Sequence, residues 1–226
     1  MDKSIIFCFS SLHPSGFNKS QLEIREKNYD IALVWLLKTI PNNWDIIYND
    51  NTLEQIDDLM NLSLKNNLKS DRIKVLLHKG NNGADNKGAG EHDMCKKCFN
   101  NIDFKQYKWI VYFTARHIIP TPWYFESLEK EWSSFDAIMS NPSFFYLDYT
   151  TSTPTKNLYN DMLFSMKSSV FKEFVDSIDV EMLKSLSKNS ENHLYEFINN
   201  KKIYKKEIEY LGILRNDHQS HGWHLV

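Results

Sequence analysis

The sequence predicts an α/β fold with a mostly parallel, Rossmann-like sheet flanked by helices. Through the first half of the chain, short apolar runs alternate with segments that carry apolar residues at helical spacing. This alternation is typical of parallel strands joined by helical crossovers. The 226 residues are 42% hydrophobic, which suits one globular domain with a sizeable core. No apolar run approaches the roughly 20 residues of a membrane span.

The first half supplies four predicted strands and three predicted helices. The run SIIFCF at 4–9 is apolar and bounded by turn residues, as expected for a buried strand. A helical pattern stops at Ile40, directly before Pro41, which would interrupt a helix. Thr52 is a favourable cap for the helix that follows. We predict strands at 4–9, 44–48, 72–78 and 108–113, and helices at 28–40, 53–67 and 91–101.

The second half continues the alternation less regularly. A segment at 143–157 is rich in aromatic, serine and threonine residues and shows no clear period. No linker interrupts the chain, so we treat residues 1–226 as a single domain with two halves, 1–122 and 123–226. We predict helices at 123–132 and 191–202, strands at 136–141 and 206–213, and a strand followed by a helix within 158–176.

The charge balance excludes several classes of partner. With 27 basic and 29 acidic residues, the chain has a net charge of −2 and lacks the positive surface that duplex nucleic acid or an anionic membrane attracts. The first residues lack the apolar stretch and cleavage site of a signal peptide. Three cysteines, an odd number, argue against a disulfide framework. We therefore expect a cytoplasmic protein with no transmembrane segment and no nucleic-acid partner.

Two of the predicted strands end in polar residues that suit ligand binding. In open parallel sheets, ligands bind beyond the carboxyl ends of the strands. Asp50 and Asn51 follow the second strand, where they would contact a nucleotide or simply form a turn and a helix cap. Arg116 and His117 follow the fourth strand. Because guanidinium pairs with phosphate oxygens in a bidentate fork, Arg116 is a candidate for binding diphosphate. The alternative is a surface arginine beside a packed histidine.

A glycine-rich loop, NNGADNKGAG at 81–90, lies between the third strand and the next helix. It holds three of the seven glycines in the chain, and glycine lets the backbone approach a ligand closely. The helix start beyond the loop offers free amide groups to phosphate. We therefore predict nucleotide binding by Asn82, Gly83, Lys87 and Gly88, with a flexible surface loop as the alternative.

A cluster on the helix after this loop has the side chains of a zinc site. His92, Cys95 and Cys98 are spaced as H-x-x-C-x-x-C, and imidazole and thiolate are good zinc ligands. No second pair of ligands follows it. On a helix the two cysteines would share an apolar face and pack as small hydrophobic residues. The pattern favours core packing, with a zinc-stabilised interaction domain as the alternative.

The order of these pieces resembles the GT-A class of nucleotide-sugar glycosyltransferases, nearest to its large inverting family-two type, from about residue 4 to about residue 224. In that class an acidic turn after the second strand holds uridine, and Asp50 in IIYNDNT matches it. NNGADNKGAG matches an Asn-x-Gly turn that leads into a helix. A Glu-Asp pair near a later helix start supplies the catalytic base, and Ser190-Glu191-Asn192 matches it. Histidines near the end of the core help hold the metal, and the candidates here are His218, His221 and His224.

The sequence departs from this resemblance at the end of the fourth strand. The class carries an Asp-x-Asp motif there for Mn²⁺ or Mg²⁺, whose charge screens the leaving diphosphate. This chain has Thr114, Ala115 and Arg116 instead. The resemblance implies a manganese or magnesium cofactor, and the missing carboxylates put that cofactor in doubt. We expect Arg116 to take over the role of the cation, with His117 as its helper or as a metal ligand.

The resemblance implies transfer of a sugar from a nucleotide-diphosphate donor, expected to be a UDP-sugar, to a hydroxyl of a glycan or lipid-linked acceptor. It makes residues 1–122 the expected nucleotide-binding half and residues 123–226 the expected acceptor-side half. Glu191 is the expected catalytic base, which implies inversion. Asp161 is the second candidate for the base, or an acid that binds the acceptor. Trp123 and the aromatic residues within 143–157 are candidates for a sugar-stacking platform or for core packing. The alternative function is a non-catalytic nucleotide- or glycan-binding protein of the same fold.

Overall fold

A seven-stranded mixed sheet runs through the centre of the protein. The structure is a computed structural model, and it describes residues 3–79, 87–141, 158–185, 190–217 and 222–225. A separate antiparallel ribbon pairs β8 (Leu214–Asp217) with β9 (Gly222–Leu225). The sheet strands, in chain order, are β1 (Lys3–Ser10), β2 (Asp45–Asp50), β3 (Ile73–Leu77), β4 (Tyr107–Thr114), β5 (Ala137–Ser140), β6 (Leu163–Lys167) and β7 (Lys205–Ile208).

Across the sheet, the strand order is β3-β2-β1-β4-β6-β5-β7. β1 is parallel to β2 and β4, and β2 is parallel to β3. β6 runs antiparallel to both of its neighbours, β4 and β5, and β7 is parallel to β5. The ends of β1–β5 and the start of β6 therefore lie at the same edge of the sheet. We call this the ligand edge.

The helices cover both faces of the sheet. None of the helices within the described ranges combines the length and the apolar character needed to cross a membrane. Short 3-10 turns lie at Ile56–Asp58 and Phe104–Gln106. The α-helices are α1 (Lys19–Thr39), α2 (Leu62–Leu68), α3 (Lys87–Phe99), α4 (Trp123–Glu129), α5 (Ser168–Asp176), α6 (Val180–Ser185) and α7 (Ser190–Asn200).

The predicted α/β class and its strands are confirmed, although the last sheet strand ends at Ile208 and not at residue 213. The first helix starts earlier than its apolar pattern predicts. Asn18 and Gln21 form a capping box that starts α1 at Lys19. The Gln21 amide donates to Asn18 Oδ1 at 3.0 Å, and the Asn18 amide donates to Gln21 Oε1 at 2.9 Å. A cap of this kind acts over one turn, so it extends a helix without any apolar periodicity.

The predicted helix at 53–67 is wrong over its first half. The amide of Leu53 donates to Asp50 Oδ1 at 2.8 Å, which folds the chain into a turn just beyond Thr52. The helix begins only at Leu62, where the Leu64 amide donates to Asn61 Oδ1 at 2.9 Å. Asn61 is therefore the N-cap in place of Thr52.

Alternate side chains of the sheet fill two cores. Along β1, Ile6 and Cys8 belong to the core covered by α1, α2 and α4. Ile5 and Phe7 belong to the core covered by α3, α5, α6 and α7. A strand buried on both faces needs apolar residues at successive positions, which explains why the sequence of β1 contains a continuous apolar run.

The cysteines of the H-x-x-C-x-x-C cluster are part of the second core, as the sequence analysis predicts. Cys95 and Cys98 are fully buried free thiols on α3, and burial raises the pKa of both. His92 is also buried, and its ring lies edge-on to Phe174 at 5.6 Å between centroids. Over the described ranges, no three His, Cys, Asp or Glu residues are grouped to hold a metal ion. The cysteines therefore pack as small hydrophobic residues.

Candidate functional site

Backbone hydrogen bonds join the strand ends along the ligand edge. The Ala115 amide donates to the Phe9 carbonyl at 2.9 Å, which links the ends of β4 and β1. The His78 amide donates to the Asp50 carbonyl at 2.8 Å, which links the ends of β3 and β2. The Thr114 amide donates to the Met162 carbonyl at 2.8 Å, which brings the chain just before β6 to the same place. The polar residues predicted at these strand ends are therefore neighbours along one edge.

Asp50 lies at the end of β2 and is fully buried. Its Oδ2 accepts hydrogen bonds from Ser10 Oγ at 2.6 Å and from the Leu12 amide at 2.8 Å. Its Oδ1 accepts from the Thr52 amide and hydroxyl, both at 2.7 Å, and from the Leu53 amide at 2.8 Å. These bonds use the acceptor capacity of the carboxylate. Asp50 therefore holds the loops after β1 and β2 together, and a direct contact with a nucleotide stays a prediction.

The loop after β1 carries polar residues that the sequence did not single out. Ser11 donates its hydroxyl to Asn51 Oδ1 at 2.6 Å, so the predicted Asn51 lies half-buried beside this loop. His13 Nε2 lies 2.6 Å from Oε1 of Glu26, a wholly buried carboxylate on α1. Arg25 donates through Nε to the Ser11 carbonyl at 2.5 Å. This network fixes the loop that borders the predicted nucleotide site.

Arg116 is the partly exposed cation at the end of β4. Its neighbours in sequence, Ala115 and His117, are buried, while Arg116 itself is intermediate in exposure. The Nε of Arg116 is buried and has no hydrogen-bond partner among the described residues. A guanidinium with a donor left over at a strand end suits an anionic ligand such as a phosphate.

The residues at this strand end do not fit a hard divalent cation. Thr114 offers one hydroxyl, Ala115 offers none, and Arg116 is itself positive, whereas Mn²⁺ and Mg²⁺ prefer carboxylate oxygens. His117 is 0% exposed, so an ion would have to enter the core to meet it. A metal role for His117 stays a prediction that this geometry does not favour.

The predicted phosphate loop is only partly described. Asn82 and Gly83 lie outside the described residues. Lys87 and Gly88 form the first turn of α3, and the position of the Lys87 side chain is not among the described features. Their nucleotide roles stay predictions.

Only some of the remaining candidates lie in the described ranges. His218, His221 and the aromatic residues of 143–157 lie outside them. Trp123 starts α4, is 43% exposed, and meets Trp132 edge-on at 5.2 Å between ring centroids. Gly212 has φ +68°, and a Cβ at that position would lie 3.3 Å from the Trp123 ring. A glycine at 212 therefore lets the chain lie against the face of this indole.

The two predicted acids meet on one hydroxyl. Asp161 lies just before β6, and Glu191 lies in the first turn of α7. The Ser190 hydroxyl donates a hydrogen bond to Asp161 Oδ2, and Ser190 Oγ also lies 3.4 Å from Glu191 Oε2. A third carboxylate oxygen, Glu91 Oε2 from α3, lies 3.3 Å from it. We call Glu91, Asp161 and Glu191 the acid cluster.

Tyr112 lies on β4 and is affected by the charges of the acid cluster. It is 2% exposed, and its hydroxyl has no hydrogen-bond partner in the part of the chain that the structure describes. Burial raises the pKa of Tyr112 well above its usual value, and the charges of Glu91, Asp161 and Glu191 raise it further. The phenol is therefore neutral and lies within electrostatic reach of all three carboxylates.

Two histidines form a buried layer next to these residues. The rings of His92 and His193 lie edge-on, 5.1 Å apart between centroids. Burial and the neighbouring His193 lower the pKa of His92 to about 3, so His92 is neutral at physiological pH. His193 Nε2 lies 3.2 Å from the hydroxyl of Ser177.

The sequence predicts roles for Asp161 and Glu191 and includes Ser190 only as part of the Ser190-Glu191-Asn192 match, whereas Glu91 and Tyr112 are not singled out. Glu91 stands at the boundary between the predicted loop and helix, where helix-dipole effects explain an acid equally well. A tyrosine at position 112 is typical of a residue in a buried strand. The one available signal was its polar hydroxyl in an otherwise apolar run, WIVYF.

Comparison with known proteins finds likeness in fold only. No protein-family model and no curated protein matches the sequence. A solved structure from Desulfovibrio desulfuricans G20, named as a nucleotide-diphospho-sugar transferase, superposes with a TM-score of 0.56 at 11% identity, covering 92% of this chain and 79% of that one. The 4-diphosphocytidyl-2C-methyl-D-erythritol synthase of Anaerococcus prevotii DSM 20548 gives 0.53 at 13% identity, covering 91% and 87%.

A third solved structure carries its ligands. It is a mannosyltransferase from Pyrobaculum calidifontis in complex with GDP-mannose and Mn²⁺, with a TM-score of 0.57 at 7% identity, covering 92% of this chain and 54% of that one. Identities this low establish the fold and not the activity. The chain has the GT-A-like fold that glycosyltransferases share with nucleotidyltransferases.

Proposed function

We propose that this protein is a glycosyltransferase that moves a sugar from a nucleotide-diphosphate donor, expected to be a UDP-sugar, to a hydroxyl of a glycan or lipid-linked acceptor. One observation carries the proposal. On the ligand edge of a GT-A-like sheet, the segment that carries the partly exposed Arg116 is hydrogen-bonded to the segment that carries Asp161, and Asp161 shares the Ser190 hydroxyl with Glu191. Arg116 follows Thr114, whose amide donates to Met162, the residue after Asp161.

The donor half of the proposed site binds the nucleotide and its diphosphate. Asn51 and the loop residues Asn82, Gly83, Lys87 and Gly88 contact the nucleotide, and Asp50 shapes the loops around it through its five hydrogen bonds. Arg116 pairs with the diphosphate oxygens. As the leaving group gains negative charge, this charge-assisted pairing strengthens and lowers the barrier.

The acceptor half supplies the base. Glu191 takes the proton from the acceptor hydroxyl while that oxygen forms a bond to the anomeric carbon. The bond from the anomeric carbon to the phosphate oxygen breaks, and its electron pair leaves with the nucleoside diphosphate. Attack from the face opposite the leaving group inverts the configuration. Asp161 is the second candidate for this base, since it shares the Ser190 hydroxyl with Glu191.

A donor screen tests this proposal. The protein is incubated with UDP-, GDP- and TDP-sugars, with and without Mn²⁺, and the products are separated by chromatography. Release of a nucleoside diphosphate supports sugar transfer or its hydrolytic side reaction. Release of pyrophosphate from a nucleoside triphosphate and a sugar phosphate indicates nucleotidyl transfer instead. Absence of both binding and turnover with every donor contradicts the proposal.

The second candidate function is nucleotide or glycan binding without catalysis. The observation in its favour is the Thr114-Ala115-Arg116 sequence at the strand end, where the resembling enzymes carry carboxylates. Tight binding of a nucleotide-sugar that remains intact over hours, with every acceptor class tested, distinguishes this alternative.

A further inference from the structure

Two exposed aromatic side chains follow strands that end at the ligand edge. Trp123 is 43% exposed and starts α4, in the segment that follows β4. Tyr210 is 62% exposed and lies two residues beyond the end of β7, which is parallel to β5 and therefore ends at the same edge. Burial of an aromatic ring is strongly favourable, so two large rings left in solvent on one edge offer a surface to a ligand.

Gly212 connects the segments that carry the two rings. A Cβ at Gly212 would lie 3.3 Å from the Trp123 ring, so the chain at this position lies against the indole. Leu211 and Ile213 are buried in the core that α1, α2 and α4 cover, which fixes the segment. Because Tyr210 is only two residues from Gly212, their Cα atoms are at most about 7 Å apart. Trp123 and Tyr210 therefore belong to one surface.

The Trp123 ring is held in place before any ligand binds. Gly212 lies against it, and Trp132 meets it edge-on at 5.2 Å between ring centroids. A ring that is already ordered loses little conformational entropy on binding, which favours affinity. Glu126 is exposed and stands three residues further along α4, a spacing that makes it a neighbour of Trp123 on the helix surface.

The chemistry of these side chains selects the type of ligand. An indole and a phenol offer flat apolar faces, and the carboxylate accepts hydrogen bonds. A pyranose ring matches both, because its faces present C–H groups and its rim carries hydroxyl donors. A stable protein partner would need about 800 Å² on each side, whereas two partly exposed rings provide at most a few hundred.

The place of Tyr210 in the sheet argues against a nucleobase as the ligand. The candidates for nucleotide binding, Asp50 and Asn51, follow β2, and β7 stands five positions from β2 in the strand order. A sugar chain that starts at the acids before β6 has β5 and β7 next in line.

We propose that Trp123, Tyr210 and Glu126 form a subsite that binds sugar residues of the acceptor. Pyranose faces stack on the two rings, and a sugar hydroxyl donates to Glu126. This inference deepens the proposed function and rests on it for one point, that the bound glycan is the acceptor. Two stacking faces suit at least two sugar residues, so an oligosaccharide should bind more tightly than its monosaccharide unit.

Glycan binding without any donor tests the subsite. The full chain is applied to an array of immobilised oligosaccharides that covers hexoses, hexosamines, deoxyhexoses and uronic acids, and the best binder is titrated in solution by NMR. We expect Trp123→Ala to weaken this binding about tenfold, and Tyr210→Ala and Glu126→Gln to weaken it severalfold. Trp35→Ala removes an indole of similar exposure, 39%, from α1 and is the matched control that should leave binding unchanged.

Tyr210→Ala and Glu126→Gln separate binding from folding. Both positions are exposed, so the unfolding temperature should stay close to that of the wild type even where Trp123→Ala lowers it. Failure to bind any oligosaccharide on the array overturns the subsite, as does binding that all three variants leave unchanged. Tighter binding of uridine than of any sugar, lost in Trp123→Ala, overturns it in favour of a nucleobase site.

The donor screen and the glycan array fail independently of each other. Release of a nucleoside diphosphate without glycan binding leaves the proposed function in place and removes only the subsite. Glycan binding that depends on Trp123 and Tyr210, without turnover of any donor, keeps the subsite and contradicts the transfer reaction.

Discussion

Two acidic regions on the ligand edge hold their carboxylates in different surroundings. At the end of β2, one carboxylate, Asp50, accepts five hydrogen bonds from the protein. At the acid cluster, three carboxylates surround the single hydroxyl of Ser190. A fully buried carboxylate whose lone pairs are all engaged holds the fold. The three acids of the cluster are intermediate in exposure and converge on one hydroxyl, so they stay accessible from solvent. Exposure, and not the acid itself, separates the two regions.

The largest effect is expected from Asp50→Ala, which tests the saturated region. The substitution leaves buried donors from Ser10, Leu12 and the turn after β2 without an acceptor. We expect the free energy of unfolding to fall by about 3–5 kcal/mol, measured by urea denaturation. Asp57→Ala, at an exposed carboxylate paired with Lys69, is the control and should change little. Losses of equal size in both variants would remove the distinction between the regions.

Glu191→Gln tests the acid cluster. The substitution keeps the shape of the side chain and removes the base, so kcat should fall by about 10²–10⁴-fold with little change in unfolding temperature. Steady-state kinetics with the donor found in the screen measures this. Asp161→Asn is the paired variant. A larger loss of kcat in Asp161→Asn than in Glu191→Gln would assign the base to Asp161 instead.

Arg116→Ala tests whether the guanidinium of Arg116, which lies between the two regions, acts on the diphosphate. Removing it should lower kcat/KM by about 10²-fold, because the leaving group loses its charge-assisted partner. Arg116→Lys should restore part of the loss, since lysine keeps the charge but not the bidentate fork. A fall in unfolding temperature that parallels the loss of activity would instead indicate a structural arginine.

The smallest effect concerns His92, which lies next to the acid cluster. Its pKa is lowered from 6.5 to about 3, so below pH 6.5 the unfolded chain binds a proton there that the folded chain does not. Stability from this group is present above about pH 6.5 and declines as the pH falls toward 3. The decline between pH 7 and pH 5 should be about 2 kcal/mol. Denaturation at both pH values should show a smaller difference in His92→Gln. An unchanged difference would mean that other groups cause the acid sensitivity.

The strands were predictable because burial on both faces demands apolar residues at successive positions. Residues 5–9 and residues 109–113 each carry this signal over five successive apolar positions. The start of α1 was not predictable from periodicity, because the cap formed by Asn18 and Gln21 acts over a single turn. Likewise, the turn beyond Thr52 depends on hydrogen bonds from backbone amides to Asp50, and every residue has an amide except proline.

The site was predictable only where it draws on acids or bases at the ends of elements. Asp161 and Glu191 met that condition, and the structure brings them to one hydroxyl. Glu91 did not stand out, because its contribution depends on how α3 packs against α7. Tyr112 was hidden because a tyrosine in a buried strand normally serves packing. Its significance comes from a buried hydroxyl that has no hydrogen-bond partner within the described ranges, which no sequence pattern records.

Because β6 runs opposite to β5, the connection between these two strands can be altered without changing the sheet. β5 ends and β6 begins at the ligand edge, so the connection between them leaves and re-enters the sheet at that same edge. Its return is fixed by the Asn160 amide, which donates to Ser140 Oγ at 2.9 Å, and by the Thr114 amide on Met162. Lengthening or exchanging the chain between these anchors would leave every strand register in place. Under the proposed function, variants of this connection change the acceptor side of the site, while the strands that end at Asp50 and Thr114 stay unchanged.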